Sequence, residues 1–468
     1  MLGVGLVLAR RCGQRASRWW WALSSGAALS LACVEPAGAE PRVRNQAAPV
    51  ASRFVLRNGL AVYLEEDHRQ PLVALRMSYA IGSRDDPKRA SGLAHLAEHL
   101  TFSGSRHLKD GGLPSLLQSA GASDWNGQVA EDTSEYQATF SSGALALGLW
   151  LERERMAFTA EHLEQASLRA EKEMLKREGQ TRLGTEGPLY QALLNAMFGR
   201  AHPYASAIDG DSELSGVTLD EVRAFLSNGY RPDHARLILI GDFESRVARD
   251  LIERYFGSIQ NPAGAPLRAS IQAAKIAGVA HSRYQRGALR QSVILGYRLP
   301  GDSLRERAQR DLFFALLEHD WEKSTERGDQ RLFALHASET RLELGSVCVI
   351  NATLAEQTTA DQGALAMHDA IARLATSEGT KDLERVRRRL TVAWLRRWEE
   401  VGARAELQAE LWGEFGQPIR SEDYVRELNG VSARELSAIS HSLILSPPTR
   451  VDTASAEEME RDGAPATP

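Results

Sequence analysis

The stretch RASGLAHLAEHLTF, residues 89–102, places three ionisable side chains inside an apolar run. His95, Glu98 and His99 stand at positions i, i+3 and i+4, so on a helix all three lie on one face. Burying such groups in an apolar helix is unfavourable unless they have a binding partner. The stretch therefore favours a built site over a solvated polar patch.

The spacing of the two histidines is that of a zinc site. Two imidazoles one helical turn apart can bind one metal ion, and the glutamate beside the second can act as a general base instead of a ligand. This is the HExxH pattern of zinc peptidases in reverse order. A catalytic zinc needs a third protein ligand, which the chain must supply elsewhere.

A charged helix is predicted downstream, in HLEQASLRAEKEMLKREGQTR at residues 162–182. Glu171 and Glu178 are seven residues apart, two helical turns, and therefore share a face. Charged helices are more often solvated surfaces than parts of a site, so this pattern alone does not identify the third ligand.

An internal repeat divides the chain. SELSGVTLDEVRAF at 212–225 and RELNGVSARELSAI at 426–439 match at a separation of 214 positions (432 − 218). Each copy has a turn glycine followed by a capping box, Thr218 with Glu221 in the first and Ser432 with Glu435 in the second. Capping boxes are common, but the shared Glu-Leu-x-Gly-Val before them indicates duplication.

The predicted fold class is α+β, with two homologous sheet-plus-helices halves of about 200 residues and helices on one face of each sheet. Strand-like runs at 73–79 and 292–297 open the two halves, and a Gly, Pro, Ala and Ser-rich segment separates them. The expected segments are a signal peptide at 1–39, an N-terminal half with the zinc site at 50–260, a linker at 261–280, a non-catalytic C-terminal half at 281–450 and a disordered tail at 451–468.

The N-terminal segment indicates export. It has four arginines before its first acidic residue, an apolar stretch at 19–34, and Ala37-Gly38-Ala39 before Glu40 as a cleavage site. We therefore expect a periplasmic or secreted protein without a stable membrane span in the mature chain. The alternatives are a mitochondrial presequence and lipid attachment at Cys33.

Charge and cysteine content exclude other classes. A formal net charge of −5 argues against nucleic-acid binding. Cys12 and Cys33 fall in or near the N-terminal segment, so the mature chain keeps one cysteine, Cys348, in the strand-like GSVCVINATL. An intrachain disulfide is then impossible, and a buried, unreactive thiol is expected.

Three segments together resemble the pitrilysin-like, or inverzincin, metallopeptidases, and among them the bacterial periplasmic and mitochondrial processing members. They are YAIGSRDDPKRASGLAHLAEHLTFSGS at 79–105, the charged helix, and HPYASAIDGDSELSGVTLDEVRAFLSNGYRPDHARLILIGDF at 202–243. The resemblance covers about residues 53–260 well and 290–445 more loosely. It implies one Zn²⁺ per chain and assembly with a second such chain around a chamber for unfolded peptides.

The resemblance also implies site residues. In the family a third ligand follows the second histidine by about 76 residues, with another acid seven positions before it. Glu178 resembles that ligand, since 78 residues separate it from His99. Glu171 then resembles the acid that orients the site, and Glu173 is a weaker candidate. His95, His99 and Glu178 would bind the zinc, and Glu98 and Glu171 would serve catalysis.

The residues expected to contact substrate match the family pattern less closely. Asn126, within SDWNGQVAEDTSEYQATF at 123–140, stands where the family has an asparagine on a peptide-binding edge strand, although Gly127 replaces a common alanine. Members active alone or as symmetric dimers also carry an arginine and a tyrosine in the second half. Here ERGDQRLFAL at 326–335 offers Arg327 and Arg331 but no tyrosine.

The leading hypothesis is a zinc endopeptidase that cleaves peptides or unfolded polypeptides with a partner chain, either a homologous subunit or a second copy. The alternative is a non-catalytic structural or binding subunit of such a heterodimer, against which the intact metal set argues. A zinc hydrolase acting on a small molecule is a third possibility that the two-half architecture disfavours.

Overall fold

The structure of the protein is a computed structural model, which describes residues 50–109, 111–182, 187–199, 201–205, 214–264, 281–285, 290–299, 301, 303–343, 345–376 and 380–454. The expected signal peptide and most of the expected linker lie outside these residues. Within the described ranges, no helix combines the length and the apolar character needed to cross a bilayer.

Six strands form the first sheet, in the order β1-β2-β6-β3-β5-β4. They are β1 (Val50–Val55), β2 (Ala61–Glu66), β3 (Leu72–Tyr79), β4 (Ser123–Val129), β5 (Ser134–Ser141) and β6 (Ala235–Gly241). All neighbours are antiparallel except β2 and β6. The helices of this half are α1 (Leu93–Ser103), α2 (Gly112–Ser119), α3 (Leu145–His162), α4 (Gln165–Arg182), α5 (Gly187–Phe198), α6 (Leu219–Gly229) and α7 (Ser245–Phe256).

Five strands form the second sheet, in the order β7-β11-β8-β10-β9. They are β7 (His281–Gln285), β8 (Ser292–Leu299), β9 (Leu332–Leu342), β10 (Gly345–Leu354) and β11 (Thr449–Ala454). The helices are α8 (Leu304–Glu326), α9 (Ala360–Leu374), α10 (Leu383–Glu399), α11 (Val401–Phe415), α12 (Ser421–Gly430) and α13 (Ala433–Leu445). The α+β class with two sheet-plus-helices halves is confirmed.

Each half contributes one helix that packs on the sheet of the other half. On one face of the first sheet lies a core that includes residues of α1, α3, α4, α6 and α7, but the other face is covered by α11 from the C-terminal half. Reciprocally, α5 of the N-terminal half packs on the second sheet. The expectation of helices on only one sheet face is therefore wrong. In β6, Leu237 and Leu239 enter the first core while Ile238 and Ile240 meet α11, because a strand buried on both faces is continuously apolar.

The sequence repeat corresponds to a structural repeat. Helices α5 and α6 begin at Gly187 and Leu219, and α11 and α13 begin 214 positions later at Val401 and Ala433. Both predicted capping boxes are formed. The exchanged helices are thus the same element of the repeat in each half.

Two local predictions require correction. Residues 451–454, expected to belong to a disordered tail, are part of β11, which pairs with β7 and β8. Val451 is fully buried, and the carboxylate of Asp452 is ion-paired with Arg450 of the same strand. The buried side chain and the ion pair allow this polar segment to form a strand. The charged helix predicted at 162–182 begins three residues later, as α4 at Gln165, because α3 extends to His162.

Cys348 is a buried, free cysteine on β10, as predicted. Burial raises the pKa of its thiol, because a thiolate there would lose its hydration. The described structure therefore gives this residue a packing role.

A buried ion pair fixes α11 to the first sheet. Arg404 is fully buried; its Nε lies 3.2 Å from Oε1 of Glu65, and its guanidinium also bonds Asp67. Burial alone would raise the pKa of Asp67, but hydrogen bonds from Arg69 and Arg404 hold it well below its ordinary value. Asp67 therefore adds stability above the pKa of an unfolded aspartate, and this contribution is lost as the pH falls through the lower folded value.

Arg404→Met is expected to lower the free energy of unfolding by about 3–5 kcal/mol, because it leaves the buried Glu65 without its cation and Asp67 with Arg69 alone. Denaturant unfolding at neutral pH measures the change. Arg420→Met is the matched control, since Arg420 has a side chain 78% exposed and its substitution should leave stability nearly unchanged. Equal effects of the two substitutions would contradict a clamping role for Arg404.

Candidate metal centre

Helix α1 is held at its first turn by a carboxylate. Asp86 accepts hydrogen bonds from the backbone N–H of Gly92 at 2.7 Å and of Ala94 at 2.8 Å. Gly92 is the N-cap residue with φ of +88°, a conformation that favours glycine. The apolar residues of α1 pack into the first core, and these constraints fix the helix that carries His95, Glu98 and His99.

Helix α4 brings a second carboxylate to both histidines. Oε2 of Glu178 lies 3.9 Å from Nε2 of His95 and 3.7 Å from Nε2 of His99. Oε2 of Glu98 lies at 4.0 and 3.8 Å from the same two nitrogens. The two imidazole rings are nearly perpendicular, with centroids 4.8 Å apart. Four residues that the sequence proposed for the site therefore converge.

Glu171 orients one of the histidines. Its Oε2 lies 3.2 Å from Nδ1 of His99, and its Oε1 accepts a hydrogen bond from Ser103 at 3.4 Å. When Nδ1–H donates to Glu171, the Nε2 lone pair of His99 is left for a metal. Burial lowers the pKa of His99, but the hydrogen bond to Glu171 and the nearby carboxylates outweigh it and raise the pKa overall. Glu173 is exposed on α4.

These residues fit a zinc ion. His95 and Glu98 are only 6% and 7% exposed, and His99 and Glu178 are partly buried, so two carboxylates and two imidazoles share a largely buried space whose negative charge a dication would neutralise. Ligands of a tetrahedral zinc are about 3.4 Å apart. The separations between Glu178 and the two histidine nitrogens exceed this value by a few tenths of an ångström, which small side-chain rotations would close.

The distances alone do not distinguish the ligand from the base, because Glu98 and Glu178 lie almost equally far from both histidines. Their other neighbours differ. Glu98 lies against β4, the edge strand of the first sheet, at Gly127, whereas Glu178 approaches from α4.

Gly127 is a site residue that sequence analysis did not assign a role. A Cβ atom at this position would lie 2.0 Å from Oε1 of Glu98 and 2.9 Å from a ring carbon of Phe102. Asn126 pairs across the sheet with Gln137 and Gly127 with Tyr136, so the two residues point to opposite faces. The face with Gly127 meets Glu98; the substrate-binding role of Asn126 stays a prediction.

Gly127→Ala is expected to lower peptidase activity by about 10 to 100-fold with the fold and zinc content retained, because the methyl group displaces the Glu98 carboxylate from its position. Kinetics on one peptide, with zinc content and melting temperature, measure the effect. Gly143→Ala is the control, since nothing lies within 4 Å of its added methyl group. Wild-type kinetics for Gly127→Ala would show that the glycine is not needed there.

A buried arginine lies beneath the site. Arg155 of α3 is ion-paired with Glu152 and stacks on Tyr136, with 4.0 Å from its Cζ to the ring centroid. Burial raises the pKa of Glu98, and the histidines of the cluster and Arg155 oppose this rise. Sequence analysis missed Arg155 because it lies in LERERMAF, whose charges resemble those of any solvated helix.

The second half does not repeat the centre. The repeat separation of 214 places Arg385 at the position of Glu171 and Val392 at that of Glu178. Within the described residues, one group of histidine and acidic side chains has the spacing to hold a metal: His95, Glu98 and His99. The two described halves thus differ at the positions of Glu171 and Glu178.

The two arginines that ERGDQRLFAL offers, Arg327 and Arg331, form ion pairs within the second half. Arg331 is ion-paired with Asp329 and Asp369, both at about 3 Å. Arg327 lies 3.7 Å from Asp320 and borders a polar cavity among α8, α9 and α10. The structure does not bring either side chain together with the residues around His95.

Two sheet-and-helix halves with a single HxxEH helix define the pitrilysin-like class. The chain belongs to the insulinase family, peptidase family M16. The model of that family, described as Insulinase (Peptidase family M16), matches residues 61–208, and the model described as Peptidase M16 inactive domain matches residues 216–390. The name of the second model agrees with the lack of a repeated metal centre among the described residues.

The chain is similar to bacterial proteases. The zinc protease PqqE of Helicobacter pylori is 25% identical over 309 residues, which are 63% of this chain and 68% of that protein. Other curated relatives match over less than half of their own length. The crystal structure of a protease from Helicobacter pylori has a TM-score of 0.78 at 21% identity and covers 87% of this chain and 100% of that one.

A longer protein contains the same fold. The periplasmic protease PqqL from Escherichia coli has a TM-score of 0.69 at 16% identity, and the match covers 89% of this chain but only 48% of that one. At such identities these likenesses show the fold alone.

Proposed function

We propose that the protein is a zinc-dependent endopeptidase that hydrolyses peptides or unfolded polypeptides. The observation that carries this proposal is the convergence of His95, His99, Glu178 and Glu98 in a largely buried space beside an edge strand. A peptidase of the M16 family is supported by the family match, and zinc is supported by the chemistry of the donor set.

The residues have distinct roles in this proposal. His95, His99 and Glu178 would hold the ion, and Glu171 keeps His99 in the tautomer whose Nε2 is free to bind. A zinc ion held there supplies a Lewis acid that acidifies water to a pKa near 7 and polarises a carbonyl. The protein must then supply a base, a surface that binds the peptide and a space from which bulk water is excluded.

Glu98 is the group placed to move the proton. Its carboxylate takes a proton from the water whose oxygen attacks the scissile carbonyl carbon, and it gives that proton to the amine nitrogen as the C–N bond breaks. The products are a carboxylic acid and an amine, and transfer of the remaining water proton between them leaves one carboxylate and one ammonium group. A substrate strand paired with the outer edge of β4 would bring its backbone next to Glu98, because Gly127 of that strand already touches the carboxylate.

A partner chain is part of the proposal. The match to PqqL occupies about half of that longer chain, which leaves room there for a second unit of similar size. Neither Arg327 nor Arg331 is brought to the metal centre within this chain, so groups that grip the peptide would come from a homologous subunit or a second copy. Two such bodies enclosing the site would restrict access to unfolded chains.

Export to the periplasm is the proposed localisation. It rests on the basic and apolar N-terminal segment, with the periplasmic PqqL as a structural neighbour. The competing function is a non-catalytic subunit that uses the same fold to hold a partner. If the protein is such a non-catalytic subunit, we expect no zinc-dependent peptide hydrolysis, either by the chain alone or with a partner subunit.

The deciding experiment combines metal analysis with a quenched-peptide assay. About one zinc per chain is expected, together with peptide cleavage that a chelator removes and added zinc restores. The assay is run on the chain alone at rising concentration and then with a homologous subunit that lacks HxxEH. Zinc binding without turnover in every mixture would favour the non-catalytic subunit, and full activity of the lone chain would contradict the need for a partner.

A further inference from the structure

We infer that Arg84 is a positioning residue through which the second half of the chain holds the metal helix α1 and the edge strand β4 in a fixed relative position. The inference rests on the proposed function and deepens it, because it names what the half without a metal centre contributes to that centre. We refer to Arg84 and its ion-pair partners Asp85, Asp132 and Glu343 as the Arg84 cluster.

Arg84 lies in the segment that leads from β3 to α1. Two residues later, the carboxylate of Asp86 caps the first turn of α1. This helix carries His95, Glu98 and His99. A shift of the segment around Arg84 would therefore move the beginning of the helix that positions them.

The same segment packs against the turn between β4 and β5. The backbone N–H of Ser83 donates to the carbonyl of Ala130 at 3.0 Å. The backbone N–H of Arg84 donates to the carbonyl of Glu131 at 3.1 Å. A Cβ atom at Gly82 would lie 2.4 Å from the carbonyl oxygen of Ala130, so the two segments touch without room for a side chain between them. The segment that enters α1 and the turn that leaves β4 are thus fixed to each other.

The buried guanidinium of Arg84 joins this contact to the second half. Its Nη1 lies 2.6 Å from Oδ1 of Asp132 in the turn between β4 and β5. Its Nη2 lies 2.8 Å from Oε2 of Glu343, in the turn between β9 and β10 of the second half. The backbone N–H of Glu343 also donates to Oδ2 of Asp132 at 2.8 Å. A buried charge that loses its partners is unfavourable, so these contacts resist separation of the three segments.

A tyrosine adds a second connection to the second half. The hydroxyl of Tyr204, which follows α5, donates to Asp132 and lies 3.1 Å from each of its carboxylate oxygens. The Tyr204 ring is fully buried in the core that α5 forms with the second sheet, a core that also contains Leu342, the neighbour of Glu343. The turn that follows β4 is therefore anchored to the second sheet at two points.

The relative position of α1 and β4 matters because the proposed base lies between them. Glu98 belongs to α1, and Gly127 of β4 touches its carboxylate. A displacement of about 1 Å between reacting groups can cost roughly 100-fold in rate. Arg84 connects the segment before α1, the turn after β4 and the second half, so the second half can fix the base relative to a peptide paired with β4.

Glu343→Gln is the most selective test, because it changes only the charge of a side chain that is 52% exposed and belongs to the half without a metal centre. It also leaves the backbone N–H that donates to Asp132. We expect kcat for peptide hydrolysis to fall by about 2 to 30-fold with KM little changed. Zinc content and melting temperature should stay near those of wild type. Glu356→Gln is the matched control, since that glutamate of the second half has a side chain 88% exposed, and it should keep wild-type kinetics.

Amide hydrogen exchange of the zinc-free protein provides a measurement that needs no activity. In Glu343→Gln, peptides that cover residues 80–103 and 123–133 should exchange about 2 to 30-fold faster than in wild type, although the substitution lies in the other half. Peptides from α9 and α13 should be unchanged, which separates this effect from a general loss of stability. Faster exchange confined to the turn between β9 and β10, or wild-type kcat in a Glu343→Gln protein, would overturn the inference.

Substitutions of Arg84 itself complete the test. Arg84→Lys keeps the charge and should lose less activity, and show less additional exchange at 80–103, than Arg84→Met. Equal losses for the two variants would contradict an ionic role. If Arg84→Met does not fold, Glu343→Gln and Arg84→Lys decide the outcome. If wild type hydrolyses no peptide but Glu343→Gln still accelerates exchange at 80–103 and 123–133, the peptidase proposal fails and the coupling between the halves stands.

Discussion

Glu98→Gln is expected to reduce peptide hydrolysis by about 10² to 10⁴-fold while zinc stays bound, because the amide keeps the shape of the carboxylate but cannot accept the proton of the attacking water. The space around this side chain is defined by Gly127 on one side and the two histidines on the other. An isosteric change leaves those contacts intact, so the loss should appear in kcat more than in KM.

The measurement requires zinc content, melting temperature and peptide kinetics on the same preparation. Glu173→Gln is the matched control, since it makes the same substitution at an exposed glutamate of α4. It should behave as wild type. A metal-replete Glu98→Gln protein with wild-type turnover would end the assignment of Glu98 as the base.

Glu178→Gln is expected to have its largest effect on zinc binding. The substitution replaces the negatively charged oxygen that we propose as the third ligand, placed 3.7 Å from Nε2 of His99, by a neutral amide. We expect zinc affinity to fall by more than about 100-fold, which exceeds the 10 to 100-fold that residues orienting a ligand typically contribute. Activity should fall in parallel and recover in part at high zinc concentration.

Glu171→Gln and Glu173→Gln test the rest of α4. Glu171→Gln replaces the charged acceptor for Nδ1 of His99 by a neutral amide and should weaken zinc binding by about 10 to 100-fold. Glu173→Gln should leave it unchanged. Metal titration with a competing chelator gives all three affinities. A larger loss for Glu173→Gln than for Glu178→Gln would show that the third ligand has been assigned to the wrong turn of α4.

Much of the fold followed from local patterns. The helical face of His95, Glu98 and His99, the two capping boxes and the apolar strands around residues 73–79 and 292–297 were all visible in the sequence, because each depends on spacings of a few residues. The repeat separation of 214 positions likewise indicated the duplicated architecture, since homologous segments adopt the same local structure. The third ligand was named only through resemblance to a family.

Tertiary structure decided the features that depend on distant segments. Whether Glu178 or Glu173 meets the histidines depends on how α4 crosses α1, and a helix with several charged residues does not reveal which of them faces its neighbour. The exchange of α5 and α11 between the sheets was equally hidden, since an apolar helix face does not specify the sheet that covers it. The closeness of Gly127 to Glu98 likewise depends on how α1 packs against β4. Periodicity reports which side of an element is apolar, but only the folded chain determines which other element lies against it.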